Sequence, residues 1–364
     1  MKKFVLLLLI LPFFTVSAHA DELIDEAAEI AGVNELNEAL PDDAGEISGK
    51  IDSNGKYDSK AALGRLWNKI VKNIVDELRD SVKTAAALVG IGLVTSLAGT
   101  LCRDKNIAGY INAAAVCSGA LVLVNGISSI ISQTSDALER LSEYSKAALP
   151  AVFTAAASCG AAVSSSAKYG IACISIDLLM GIAQSAVIPL AYAFLALSLS
   201  NSIFESPMLK SCQRLTKWLA TTLMTVFIFA FSTIITVSGI VSGSADALSV
   251  KAARTVISTV LPVVGGIISD AASSVLLAAS AIKNSAGVMS LIAVCALCAG
   301  PFVMLSVKML VFRAAAAACE LIPNIRLSAF INDVGKALSI LLGLLGCCAI
   351  MMFISFMSAI KAVA

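Results

Sequence analysis

Apolar runs long enough to cross a bilayer recur from residue 85 to the end of the chain. A helix needs roughly 20 apolar residues to cross about 30 Å of hydrocarbon. About seven to eight hydrophobic segments approach or exceed that length: Ala85–Leu101, Ile107–Ile131, Leu149–Val163, Tyr169–Leu199, Trp218–Val241, Thr255–Ile282, Val288–Val307 and Ala337–Met357. The pattern predicts an all-α fold, a polytopic membrane helix bundle that occupies residues 84–364.

The segment Thr255–Ile282 is interrupted in its middle. Pro262 removes a backbone donor and clashes with the preceding turn, while Gly265 and Gly266 loosen the backbone. A carboxylate, Asp270, follows them. Opened backbone groups in lipid must find partners inside protein or in a wet cavity. The pattern favours a broken or re-entrant helix that forms a pore-side turn or a packing joint, and the alternative is an ordinary proline-kinked helix.

Residues 1–20 have the layout of a secretory signal peptide. Lys2 and Lys3 precede the apolar run Phe4–Phe14, and Ala18–Ala20 forms an A-x-A cleavage site. Cleavage after Ala20 would place the following residues on the far side of the membrane. The alternative is an uncleaved first anchor.

An amphipathic helix is predicted at the end of the polar region 21–83. Apolar residues at helical spacing mark one of its faces: Leu63, Leu66, Trp67, Ile70, Ile74, Leu78 and Val82. Charged residues occupy the other faces, so the apolar face is expected to lie on a membrane or against a partner. The alternative is a solvated connector with one weak packing face.

Charge is distributed unevenly along the chain. Hydrophobic residues make up 58% and charged residues 14%, and the mean hydropathy is +0.89, whereas a soluble domain is about a quarter charged. Residues 21–83 hold 15 acidic and 8 basic side chains, and residues 84–364 hold 10 and 16. Because basic residues collect on the cytoplasmic side, we expect region 21–83 to be extracytoplasmic and the loop Lys210–Lys217 to be cytoplasmic. No basic cluster is dense enough for nucleic-acid binding.

Few residues point to enzyme chemistry. The single histidine, His19, lies in the predicted signal peptide, and its loss excludes Ser–His and Cys–His pairs and His-ligated metals. Walker A, GxGxxG and GxSxG motifs are absent. The ten cysteines lie in or beside apolar segments, so we interpret them as buried small hydrophobes rather than as disulfides. We predict no catalytic residue, cofactor or metal site.

Two acids lie inside apolar segments: Asp177, with Gln184 nearby, and Asp270. A charge in hydrocarbon costs roughly 2.5–3.5 kcal/mol or more, so each should face the bundle interior, water or a basic partner. One interpretation is a proton or ion site beside a broken helix, as in secondary transporters. The other is a set of ties between helices, with Lys168 among the candidate partners.

Three blocks of sequence resemble a known family. Ser249–Ala271, which reads SVKAARTVISTVLPVVGGIISDA, resembles the signature block of the stage III sporulation protein AE family. Lys283–Gly287 and the run Lys308–Leu321, followed by a last apolar segment, are similar as well. The signal peptide, the acidic amphipathic region and the multi-span layout also match. The resemblance covers the chain from about Leu63 to its end.

The resemblance implies a multi-pass protein of the mother-cell membrane around the forespore of endospore-forming bacteria. It implies a non-enzymatic core subunit of a channel or secretion-like complex that links the two cells. The expected partners are membrane lipid and other proteins of the same operon, including a secretion-type ATPase and ring-forming subunits. Small residues in the spans allow close helix approach and predict a tight bundle or a homo-oligomer. The alternative function is a small-solute or ion transporter that uses Asp177 and Asp270.

Overall fold

The computed structural model describes residues 37–38, 40–51, 57–101, 105–159, 162–260, 265–321 and 325–360. Within these ranges the side chains of residues 239–279 and of some scattered positions are not described. The elements are α1 Asp42–Ser48, α2 Ser59–Leu101, α3 Lys105–Ser158, α4 Ala162–Ile182, the π-helical turn Ala183–Val187, α5 Ile188–Phe204, α6 Pro207–Val260, α7 Gly265–Glu320 and α8 Ile325–Ile360. No strand occurs in the described residues.

Within the described ranges, six helical stretches are long and apolar enough to cross a membrane. They are Ser59–Leu101, Ile107–Ser158, Ser165–Phe204, Pro207–Ser238, Lys283–Glu320 and Arg326–Ile360. This arrangement confirms the predicted all-α polytopic bundle.

The helices join segments that the hydropathy pattern separates. Ile107–Ile131 and most of Leu149–Val163 belong to the single helix α3, because the polar stretch between them is also helical. The predicted signal peptide and Pro262 lie outside the described residues, and the side chain of Asp270 is not described. Gly265 and Gly266 begin α7, so the interruption between α6 and α7 stays a prediction.

The long helices exceed the thickness of a bilayer. α3 and α6 have 54 residues each and α7 has 56, which corresponds to about 80 Å at 1.5 Å per residue. Each long helix therefore carries polar turns in addition to an apolar span. The predicted boundary at residue 83 falls inside α2, where the helix continues without a break.

The core is built around α8, which packs against α3, α5, α6 and α7. Among its buried residues are Leu338, Leu341, Leu344, Leu345 and Phe356. The ring of Phe356 lies 6.5 Å from the ring of Tyr144 in α3, at an interplanar angle of 58°. In lipid such contacts stabilise through close packing rather than through removal of water.

Two glycines allow neighbouring helices to approach α8 closely. A Cβ atom on Gly119 of α3 would lie 2.7 Å from Cδ1 of Leu327, and one on Gly287 of α7 would overlap the side chain of Ile360. Both positions fit the prediction of a tightly packed bundle.

The short helix α1 docks against α2 and α7. Ala44 and Ile47 pack against Leu66 of α2 and against Ala296 and Ala299 of α7. The Arg65 Nε donates to the carbonyl of Ile47 at 3.0 Å, and the Tyr57 hydroxyl donates to the carbonyl of Ser48 at 2.6 Å. These bonds satisfy carbonyls at the C-terminal end of α1 that have no partner within the helix.

The contacts between α2 and α7 fix their relative register. Leu66 packs beside Ala296 and Ala299, and Glu77 forms an ion pair with Lys308. Residue numbers thus rise together along the two helices, which run parallel. The charged N-terminal half of α2 consequently lies beside residues 296–308 of α7, which belong to one of the most apolar helices in the chain.

Candidate functional site: polar groups within the apolar bundle

Asp177 lies on the surface of α4 rather than in the bundle interior. Its side chain is 59% exposed, and its Oδ1 is 3.9 Å from the Nζ of Lys146 on α3. Gln184 and Ser185 line the same open groove about two turns further along. Lys168, which the sequence offered as a candidate partner, donates to the carbonyl of Ser358 at 3.3 Å. The structure thus brings Asp177 and Gln184 together and does not describe the side chain of Asp270.

The π-helical turn that contains Gln184 has a local cause. Pro189 cannot donate to the carbonyl of Ser185, four residues earlier, and its ring would clash with that group in a regular helix. A wider turn immediately before a proline moves the carbonyl away. The Ser185 hydroxyl donates to the carbonyl of Gly181 at 2.6 Å.

The predicted amphipathic helix is the first half of α2, and its apolar face is largely uncovered. Its exposed members are Leu63, Trp67, Ile74, Leu78 and Val82 of the predicted face and the neighbouring Val71 and Val75, whereas Ile70 is half-buried and Leu66 is buried. We call the exposed members the apolar stripe. At 100° per residue, the apolar stripe occupies one side of the helix, and seven of the nine charged residues between positions 59 and 83 occupy the other side. Lys60 lies in the sector of the stripe, and Glu77 lies on the buried face.

A polar cavity that sequence reasoning missed lies between α2, α3 and α7. It has a volume of about 290 Å³. The lining residues are Lys69 of α2, Gln133, Asp136, Ala137 and Arg140 of α3, and Ala296, Leu297, Gly300 and Pro301 of α7. Charged and amide side chains of α2 and α3 therefore lie beside the middle of α7, which is an apolar helix. The sequence signal was the helical spacing of Gln133, Asp136 and Arg140.

The ion pair between Glu77 and Lys308 lies about two helical turns beyond the cavity-lining residues Lys69 and Pro301 and is partly buried. The side chains are 22% and 20% exposed, respectively. Partial burial lowers the effective dielectric constant, so the pair interacts more strongly than an exposed pair, while the loss of either partner leaves a charge poorly solvated. The pair thus holds α2 against α7 in one register.

A second polar cluster, also missed, joins α5, α6 and α8 around Asp333. Its Oδ2 accepts hydrogen bonds from the Ser198 hydroxyl at 3.0 Å and from the Gln213 amide at 2.5 Å. Its Oδ1 is 2.7 Å from the Nζ of Lys336. The carboxylate is buried and well supplied with donors, which is the arrangement that a charge needs inside a bundle. We call this group the Asp333 network.

Arg326 and Glu205 form a further tie close to the Asp333 network. The Arg326 Nε lies 2.7 Å from Oε1 of Glu205, and its Nη2 lies 2.9 Å from Oε2. This fork-to-fork geometry fixes the junction between α5 and α6 against the start of α8. Glu205 has a φ of 50°, so the junction uses a left-handed residue that caps α5.

The described residues show no group of three or more histidine, cysteine, aspartate or glutamate side chains that could hold a metal ion. Nine cysteines in the described part of the chain are free thiols. Five of them are buried: Cys159, Cys298, Cys319, Cys347 and Cys348.

The helical bundle with six bilayer-length apolar stretches defines a polytopic membrane protein. Comparison with known families identifies it further. The chain belongs to the stage III sporulation protein AE family, whose sequence model matches residues 49–363. This confirms the resemblance seen in the sequence.

One curated relative is "Stage III sporulation protein AE" of Bacillus subtilis (strain 168). The two chains are 21% identical over 242 residues, which cover 66% of this chain. The matched region spans 61% of the length of that relative. No solved structure matches the chain.

Proposed function

We propose that this protein is a non-enzymatic, multi-span core subunit of a channel or secretion-like complex that links mother cell and forespore during sporulation. Family membership and the six apolar helices support its place in a sporulation membrane. One structural observation supports the channel role. Charged side chains of α2 and α3 lie at the level of the apolar middle of α7.

That observation restricts what can surround the protein. Seven of the nine charged side chains of residues 59–83 lie on one side of α2, and α3 adds Asp136, Glu139, Arg140 and Glu143, which are exposed. Each charge in hydrocarbon would cost roughly 2.5–3.5 kcal/mol or more. If residues 296–308 of α7 are at bilayer depth, this polar face must meet water or the polar surface of another subunit. We call it the polar face.

The apolar stripe lies in a different sector of α2 and suits the opposite environment. Its seven exposed apolar residues would meet acyl chains or an apolar partner surface. α2 would then lie at a boundary, with lipid or a partner on one side and an aqueous passage on the other. Such a boundary helix is expected in a subunit that surrounds a passage together with further copies or with other proteins.

The proposed partners are further copies of this chain and the other proteins of the same operon, including a secretion-type ATPase and ring-forming subunits. The proposed location is the mother-cell membrane around the forespore, with residues 1–20 removed. Of the region 21–83, the part before α2 would then be extracytoplasmic, because residues 59–83 of α2 lie beside residues 296–308 of α7. The break near Pro262 would contribute a pore-side turn or a packing joint within this assembly.

Purification from sporulating cells tests the assignment. The tagged full-length protein, extracted in mild detergent, should elute well above the size of one chain with its micelle and should carry other operon products. Recovery of a lone monomer, together with normal spores and intact forespores after deletion of its gene, would refute the proposal.

A further inference from the structure

A basic cavity opens between α5, α6 and α8, beside the Asp333 network. Its volume is about 230 Å³. The lining residues are Phe194 of α5, Lys210, Gln213, Arg214 and Lys217 of α6, and Asp333 and Lys336 of α8. The cavity thus combines four cations, one amide and one carboxylate with an aromatic wall.

The carboxylate does not neutralise the cavity. Asp333 already pairs with Lys336 and accepts hydrogen bonds from Ser198 and Gln213, so both of its oxygens are occupied. In the described part of the chain, no carboxylate forms an ion pair with Lys210, Arg214 or Lys217. The cavity therefore presents three cations that lack a counter-charge within the described protein.

The three cations lie on one face of α6. Lys210, Arg214 and Lys217 follow one another at helical spacing of four and three residues, within the first turns of a 54-residue helix. Like charges at this spacing destabilise a helix, and the free amide groups at its N-terminus add positive potential near Lys210, which lies in the first turn. Both effects are relieved when an anion binds, so this region is built to receive negative charge.

The neighbouring residues indicate what carries that charge. Trp218 is 58% exposed and lies within about 40° of Arg214 around the helix, at 100° per residue. Tryptophan beside lysine and arginine is typical of the level at which headgroups meet hydrocarbon. A basic pocket between membrane helices at that level fits a lipid phosphate better than a phosphate free in water.

We propose that this cavity binds the phosphate of an anionic phospholipid headgroup. Lys210, Arg214 and Lys217 bind the phosphate oxygens, while Asp333 keeps Lys336 and Gln213 in place at the rear of the cavity. The bound lipid joins α5, α6 and α8 at the basic end of the bundle. This inference does not depend on the channel role.

Lipid binding to the purified full-length protein tests the proposal. The protein in neutral detergent is titrated with dioleoyl phosphatidylglycerol, and bound lipid is measured by native mass spectrometry. Dioleoyl phosphatidylcholine, which is zwitterionic, and inorganic phosphate are titrated in parallel. We expect phosphatidylglycerol to bind at least tenfold more tightly than phosphatidylcholine, and inorganic phosphate at equal concentration not to displace it.

The variant Lys210→Gln/Arg214→Gln/Lys217→Gln should lower the affinity for phosphatidylglycerol at least tenfold, since each cation near a membrane surface contributes about fivefold. A matched control, Lys60→Gln/Lys72→Gln/Arg79→Gln, removes three exposed cations of α2 and should change the affinity for phosphatidylglycerol less than twofold. The single variant Arg214→Gln should lower the affinity for phosphatidylglycerol about fivefold, and it replaces the triple variant in the test if the triple variant does not fold.

Three results would overturn the proposal. One is equal loss of phosphatidylglycerol binding in the triple variant and its matched control. Another is unchanged binding in Arg214→Gln. The third is displacement of the lipid by inorganic phosphate at equal concentration, which would assign the cavity to a free anion.

Discussion

At the scale of single residues, the structure separates charges that hold the bundle together from charges that lie on its surface. Asp333 is buried and receives three polar contacts from three different helices. Asp177 is exposed and has one long ion pair. The sequence drew attention to Asp177 because it lies in a long apolar run. It gave no such signal for Asp333, whose partners Ser198 and Gln213 are 135 and 120 residues away.

Replacement of Asp333 should therefore destabilise the protein far more than replacement of Asp177. Asp333→Ala removes the acceptor for two donors and the partner of Lys336, and about 2–3 kcal/mol of stability should be lost. Asp177→Ala should cost less than about 1 kcal/mol, as expected for an exposed pair. Thermal unfolding of the two variants in one detergent gives the comparison, and equal midpoints would contradict it.

Asp177→Asn also tests the alternative function. A transporter that used Asp177 as a proton or ion site would lose its function without loss of protein or assembly. Because Asp177 is an exposed tie to Lys146, we expect Asp177→Asn to preserve sporulation. Loss of spores at a normal protein level would instead favour the transporter.

Tyr57 provides a pH-dependent test just before α2. Burial raises the pKa of Tyr57 to about 12, and its hydroxyl donates to the carbonyl of Ser48, which only the neutral phenol can do. The folded form has the higher pKa, so the stabilising contribution is complete below pH 10 and is lost as the pH rises through about 12.

The ionisation of Tyr57 is measured by ultraviolet titration of the parent protein and of the variant Tyr57→Phe, followed by subtraction of the second curve from the first. The difference should titrate near pH 12 rather than near pH 10. A midpoint near 10 would show that α1 does not cover Tyr57 in solution.

At the scale of helices, composition determined the kind of element and tertiary contacts determined how the elements are placed. The apolar runs predicted membrane helices, and the structure confirms that class. The pattern could not predict that α2 lies beside the middle of α7. The register depends on two contacts, of Leu66 with Ala296 and of Glu77 with Lys308, and each joins residues more than 200 positions apart. Hydropathy likewise divided α3 at a polar stretch that is helical.

A double-mutant cycle on Glu77 and Lys308 tests that register. Glu77→Gln and Lys308→Met each leave one partly buried charge without its partner, and the double variant removes both. We expect a coupling energy of about 1–2 kcal/mol, smaller than for a fully buried pair because water reaches both side chains. Additive effects would mean that the two residues do not touch.

The close contact between α3 and α8 provides a second test at this scale. Gly119→Ile would force a branched side chain against Leu327 and Leu88, and about 1–3 kcal/mol should be lost. Gly126→Ile in the same helix is the control, because a Cβ there meets nothing within 4 Å. Equal thermal midpoints for the two variants would contradict the packing.

At the scale of the whole molecule, the protein combines surfaces that require different surroundings. The apolar stripe and the exposed apolar residues of the spans suit lipid, whereas the polar face of α2 and α3 suits water or a polar partner. A single chain surrounded by lipid cannot satisfy both. The hydropathy of the sequence predicted membrane residence, and its small residues predicted a tight bundle or a homo-oligomer. The polar face became visible only when α2 and α3 were placed beside α7.

The most direct test of this account is the accessibility of substituted cysteines in native sporulating membranes. Arg79→Cys and Asp136→Cys lie on the polar face, and Trp67→Cys and Leu78→Cys lie on the apolar stripe. Labelling by a membrane-impermeant maleimide is measured after subtraction of the parent, whose Cys117 is exposed. Because the proposed function places the polar face along an aqueous passage and the apolar stripe against lipid or an apolar partner, we expect fast labelling at the first pair and at least tenfold slower labelling at the second. Equal rates at all four positions, or protection of the polar face alone, would contradict it.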